Sequence, residues 1–141
     1  ILACRMASHL VALFIDGYSK TKALEWLKKK YESDTEASLK LQQVLSKADF
    51  SPGEGNVLKT LSIALNVFLE SDSFEETVIK AIEKGGDTDT QAAVAGAFAG
   101  AFWRANAIPT KWTNMLNPVS DTEIADKARK LYILNKAMSK P

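Results

Sequence analysis

Apolar residues recur along this chain with helical spacing, and the breaks between stripes carry capping or breaker residues. Leu2, Met6, Leu10, Leu13 and Phe14 share one face of a first helix, which Gly17 closes. Ser19 caps a second helix that carries Leu24, Trp26 and Leu27 and ends near Tyr31. Ser33, Asp34 and Thr35 start a third, with Leu39, Leu41, Val44 and Leu45 on it. The stretch from Phe50 to Gly55 reads as a loop, because Pro52 cannot continue a helix and Gly53 and Gly55 permit positive φ. Val57, Leu61, Ala64, Leu65 and Phe68 define a fourth face. Ser73 and Glu76 have the spacing of a capping box ahead of Phe74, Val78, Ile79 and Ile82, and Gly85 and Gly86 stop that helix.

From Gln91 to Arg104 the pattern is again helical but made mostly of Ala and Gly, with Val94, Phe98, Phe102 and Trp103 as its large residues. Gly96 and Gly100 share a face with Ala92, which lets another backbone approach and suits a helix in the middle of a bundle. A short helix follows around Trp112, Met115 and Leu116, then a break at Asn117-Pro118. A last helix, capped near Ser120, has Ile124, Ala128, Leu131 and Ile133 or Leu134 on its apolar side. No strand-like alternation and no solenoid period interrupts this series, so the expectation is an all-α multi-helix bundle. The first stripe begins at residue 2 with no start signal ahead of it, as in a piece of a longer polypeptide.

Composition narrows the function classes. At 141 residues the chain suits one all-helical segment over 1–141, and 46% hydrophobic with 25% charged residues is enough for a core. Seven Gly and four Pro are few for this length, which favours long helices. The 18 Lys and Arg nearly cancel the 17 Asp and Glu, leaving a net charge of +1, so no nucleic-acid partner is expected. The densest basic run, Lys20 to Lys30, is interrupted by apolar residues at helical spacing and reads as a solvated face. The apolar run Ala92 to Trp103 falls short of the roughly 20 residues of a membrane span, and no signal peptide precedes it. A soluble, cytoplasmic protein with no membrane partner is the reading. Cys4 is the single cysteine, expected to be a buried inert thiol.

The candidate chemistry lies in Asp87, Asp89 and Thr90, two carboxylates and a hydroxyl within four positions. In an extended segment residues i and i+2 point the same way, so Asp87 and Asp89 converge on one hard cation while Thr90 adds a neutral oxygen. Spacing alone leaves a second reading open, in which Asp89 or Thr90 is only a helix N-cap. An EF-hand is excluded, since counting from Asp87 puts Ala92 where Gly is required and Phe98 where the bidentate Glu belongs. His9, the lone histidine, reads as a partly buried polar residue. Trp26, Trp103 and Trp112 lie on apolar stripes and read as packing residues, and the glycines of the Pro52 to Gly55 loop read as a turn before a phosphate site.

The run Gly85-Gly86-Asp87-Thr88-Asp89-Thr90, followed by Ala92-Ala93, Gly96-Ala97, Gly100-Ala101, Ile108-Pro109 and Trp112, resembles the C-terminal signature of the ADP-ribosylglycohydrolase family. Ala64-Leu65, Phe68-Leu69 and Ser73-Phe74-Glu75-Glu76 are similar to the helix pair before that signature, and Leu10 to Gly17 to an earlier family helix. The resemblance covers essentially the whole chain, as the C-terminal half of the family's domain. It implies an orthogonal helical bundle and a hydrolase that removes ADP-ribose from modified proteins or small conjugates with two magnesium or manganese ions. It also implies that Asp87, Asp89 and Thr90 are metal ligands. The mechanism expected is that a carboxylate, Asp87 or Asp89, shares the proton work, and the sequence does not choose between them. The partner donors, a Thr-Asp-Asp triplet and a further acidic residue, belong to the missing N-terminal half, so the isolated chain is expected to be inactive and to associate through exposed apolar faces. Two other classes stay in view, a non-catalytic crystallin-like relative and a helical interaction module.

Overall fold

The computed structural model describes residues 1–46, 56–116 and 118–138. The loop expected at 50–55 and the break at Asn117 lie outside the described residues. Among them, the regular elements are α1 (Leu2–Ile15), α2 (Lys20–Lys30), α3 (Thr35–Leu45), α4 (Asn56–Leu69), α5 (Phe74–Glu83), α6 (Thr88–Trp103), a 3₁₀ turn (Ala105–Ala107), α7 (Thr110–Thr113) and α8 (Pro118–Met138). The protein is all-α. Local chemistry sets the helix starts: Ser19, Asp34 and Ser73 accept from the backbone N–H groups of Lys22, Ala37 and Glu76 at 3.3, 3.0 and 3.1 Å. The Glu76 carboxylate reaches back, although it accepts from Asp72 N–H at 2.7 Å instead of from Ser73.

Residues 1–108 form one compact unit and residues 109–141 a second. In the first unit, α6 packs against α1, α4 and α5. Its small side chains admit large ones from its neighbours, and Phe14, Phe68 and Phe98 are fully buried with ring centroids 5.0 to 6.4 Å apart. A Cβ on Gly96 would stand 3.7 Å from Val78 Cγ2 and 4.0 Å from Phe74 Cζ, and one on Gly100 3.8 Å from Phe74 Cε2. The smooth face therefore receives the side chains of α5, the Phe74 ring foremost, not another backbone.

Several stripes are buried over only part of their width. Met6, Leu10, Leu27, Leu41, Val44, Leu65 and Phe68 are buried, while Leu39, Val57, Ile79 and Ile82 are exposed because no described helix covers their side. Cys4 is exposed too, which corrects the expectation of a buried thiol. In the second unit, α8 starts at Pro118, before Ser120, and leaves Ile124, Leu131, Ile133 and Leu134 exposed.

Lys20 departs most from its sequence reading. Instead of joining a solvated face, its ammonium donates to the carbonyls of Phe68, Leu69 and Ser71 at 2.9, 3.4 and 2.6 Å, closing the C-terminus of α4. The same Nζ stands 4.7 Å from the Phe68 ring centroid and 4.8 Å from that of Trp103. Partial burial lowers its pKa, against the raising influence of Asp72 and Glu76.

These contacts set the expected stability changes. Lys20→Ala strands three carbonyls and empties the aromatic wall, so it should cost about 2–3 kcal/mol in denaturant unfolding; a loss below ~0.5 kcal/mol contradicts the role. Gly96→Ala and Gly100→Ala fit at ordinary contact distance and should each stabilise by about 0.5–1 kcal/mol through helix propensity. Gly85→Ala, at φ +72°, should destabilise by roughly 1 kcal/mol. Destabilisation by Gly96→Ala would show that α5 sits closer than these contacts allow.

Candidate functional site

The turn between α5 and α6 is built from three consecutive constraints. Gly85 and Gly86 both hold φ near +72°, which side-chain-bearing residues rarely adopt, and Gly85 N–H donates to Ile82 C=O at 3.1 Å. Asp87 follows with φ −80° and ψ 66°, and Thr88 N–H donates across it to Gly86 C=O at 2.9 Å. That is an inverse γ-turn centred on Asp87. The chain enters α6 at once, at Thr88 instead of the expected Gln91.

This early start changes how the three candidate residues meet. Asp89 and Thr90 occupy the first turn of a helix, so the alternation of an extended segment does not apply. Helical i, i+3 spacing applies in its place: Thr90 Oγ1 donates to Asp87 Oδ1 at 2.8 Å. Asp87 stands at the N-cap position, yet its side chain makes no capping bond, unlike Ser19, Asp34 and Ser73. Neither Asp89 nor Thr90 is the cap. Hydrogen bonding from the Asp87 side chain holds Asp89 below its ordinary value of 3.8, helped by the backbone N–H groups of Thr90 and of Asp89 itself. A helix N-terminus adds in the same direction by favouring negative charge.

All three side chains are exposed. Among the described residues, no group of three or more His, Cys, Asp or Glu is placed to hold a metal ion. The turn thus offers two carboxylates and one hydroxyl, all hard oxygen donors, where an octahedral ion takes six.

Two cavities flank Asp87. One, of about 230 Å³, is mostly apolar and is lined by Cys4, Ala7, Val57, Leu61, Thr90 and Val94 among others. Ala7 and Val94 also line an apolar trough of about 500 Å³ between α1 and α6. The other, of about 270 Å³, is lined by Lys59, Thr60, Ile63, Lys84, Gly85, Gly86 and Gln91. Gln91 is 4% exposed, and its Oε1 has no hydrogen-bond partner. Sequence reasoning passed over Gln91, whose one signal is being the sole amide in a helix of small and apolar residues, four positions after Asp87.

The residues set aside behave as packing groups. His9 Nδ1 lies 3.2 Å from the Tyr31 hydroxyl and its ring meets Trp26 edge-on at 5.2 Å. Trp103 packs against Phe68 and Phe102, with centroids 5.4 and 5.2 Å away. Lys111 stands 6.0 Å from the Trp112 ring centroid. No described helix is long and apolar enough to cross a membrane.

Comparison with known proteins adds a family to this geometry. Residues 1–140 match the ADP-ribosylglycohydrolase family. The chain is 30% identical to the ADP-ribosyl-[dinitrogen reductase] glycohydrolase of Rhodospirillum rubrum over 60% of its own length and 30% of that protein's. It is 31% identical to the ADP-ribosylarginine hydrolase Tri1 of Serratia proteamaculans, over 62% of this chain and 24% of that protein. With human ADP-ribosylhydrolase ARH3 the identity is 40% over 38% of this chain and 15% of the relative. The chain therefore spans less than a third of the length of these curated relatives. No solved structure matches it. With a match over nearly its whole length and the Gly-Gly-Asp-Thr-Asp-Thr turn built as described, the chain belongs to the ADP-ribosylglycohydrolase family.

Proposed function

We propose that the intact protein hydrolyses the bond between ADP-ribose and a modified protein or small conjugate, at a divalent-metal centre to which this chain contributes Asp87, Asp89 and Thr90. The observation that carries this reading is the state of Asp87: an N-cap carboxylate released from capping, hydrogen-bonded to Thr90 and two residues from a second carboxylate, Asp89. A turn whose only task was to start α6 would spend that carboxylate on a backbone N–H group. The names of the relatives, which refer to ADP-ribosyl and ADP-ribosylarginine hydrolysis, support the substrate class.

The donor set fits magnesium or manganese, since carboxylate and hydroxyl oxygens suit hard ions. Two ions per complete site is the reading, with the remaining ligands supplied by water, substrate and other protein segments. Bound metal supplies positive charge that orients ribose hydroxyls and lowers the pKa of a water. This chain's residues hold the site and handle the proton. The Asp87–Asp89 pair takes the proton of the attacking water as its oxygen bonds to the anomeric carbon. It returns a proton to the departing nitrogen or oxygen as the glycosidic bond breaks. The open apolar trough along α1 and α6, with the smaller apolar cavity beside Asp87 and Thr90, supports a further segment of the same domain as the partner that completes the centre.

Calorimetric titration of the intact protein with manganese, paired with an assay for free ADP-ribose released from a modified protein, tests this. Asp87→Asn should weaken manganese binding at least about tenfold and lower turnover by two orders of magnitude or more. Unchanged affinity and turnover would remove Asp87 from the site. Release of ADP-ribose separates a hydrolase from a crystallin-like relative, and manganese binding separates both from a plain interaction module.

Asp89 also predicts an acid limb. Because its folded pKa is depressed, the stability it contributes is complete above the unfolded value of 3.8 and is lost as pH falls through the lower folded value. Thermal melts of the metal-free protein should drop in that range, and Asp89→Asn should flatten part of the drop. An identical acid limb in the variant contradicts the assignment.

A further inference from the structure

A second open feature lies away from the signature turn. α2 packs on α1 and α3 packs on α4. Consecutive helices are thus drawn to different partners, and a groove of about 510 Å³ is left between them. It shares no lining residue with the cavities beside Asp87. One wall is a single face of α3, where Ser38, Leu41, Gln42 and Leu45 stand at i, i+3, i+4 and i+7 and span about 10 Å, two helical turns. Leu41 is buried and Leu45 half-buried, so the floor is apolar. The facing wall carries Lys28 and Lys29 from the last turn of α2. Both are exposed, and among the described residues neither ammonium has a hydrogen-bond or ion-pair partner.

The known modes of segment recognition narrow what fits. Strand addition needs a sheet edge, and the described residues hold no strand. Polyproline segments need an aromatic-lined groove, and phosphorylated ones an arginine cluster; no aromatic residue and no arginine lines this groove. A helix laid in the groove satisfies its own backbone and needs only an apolar strip with a matching charged edge, and both are present. The charge across the edge is set by Lys28 and Lys29, which favour carboxylates. We infer that this groove is a docking site for an acidic amphipathic helix of a partner protein, its apolar stripe seated on Leu41 and Leu45 and its Asp or Glu residues against Lys28 and Lys29. Glu32, farther along the α2 wall, repels a carboxylate placed against it and confines the acidic flank to the two lysines. The basic run that sequence periodicity assigns to a solvated face becomes the edge that selects the partner. None of these residues belongs to the metal-binding turn, so the inference stands independently of the hydrolase reading.

The test is a titration of the intact protein with two helical peptides of about 15 residues. Both carry leucine at i, i+3, i+4 and i+7, and their flanking positions are all Glu in one and all Lys in the other. The Glu peptide should bind at least about tenfold more tightly than the Lys peptide, with the backbone NMR signals of Ser38 and Gln42 shifting. Added salt should weaken it, because the lysines are exposed. Lys28→Glu with Lys29→Glu should reverse the preference between the peptides. Leu45→Gln should reduce the affinity for the Glu peptide about tenfold. Gln42→Tyr, which obstructs the groove from an exposed position, serves where the Leu45 variant does not fold. Equal affinity for the two peptides, absence of binding, or a preference unchanged by the double lysine variant would overturn the inference. So would shifts of the Ser38 and Gln42 signals with protein concentration alone, which would give the groove to a second copy of the chain.

Discussion

The geometry of the candidate centre depends on one backbone constraint, the passage from α5 to α6 within Gly85, Gly86 and Asp87. Two left-handed glycines and an inverse γ-turn leave no room for a loop, so α6 begins at Thr88 and its first turn carries the signature residues. The same turn swings the Asp87 carboxylate off the helix N-terminus and onto the Thr90 hydroxyl. The packing of α6 against α1, α4 and α5 holds that turn in place, so a helix of Ala and Gly anchors the chemistry through the partners it admits.

Much of this was legible from sequence because it is local. Ser19, Asp34 and Ser73 cap where residue type and spacing place them, and the stripes through Met6, Leu41 and Phe68 are buried. The signature turn was legible in composition but not in conformation. A run of Asp and Thr after two glycines has the composition of a loop, and the start of α6 at Thr88 is set by the γ-turn.

What the sequence did not disclose depends on distant partners. Lys20 sits in a basic run at helical spacing, and only the carbonyls of Phe68, Leu69 and Ser71, about fifty residues on, make it a cap for α4. Leu39, Ile79 and Ile82 belong to real apolar stripes, but the width of the buried strip is set by whichever helix lies opposite. Gln91 gave no periodic signal at all, since one amide among alanines looks like an exposed position until the cavity against α4 is seen. The exposed face of α8 belongs to the same class of information.

The account stands or falls on whether the oxygens of Asp87, Asp89 and Thr90 share a centre. A crystal of the intact protein soaked in manganese and measured for anomalous scattering tests this directly. The account predicts a manganese peak at coordination distance, about 2.0–2.6 Å, from oxygens of this turn. Carboxylates pointing into bulk solvent, with manganese elsewhere or absent from the turn, would contradict it.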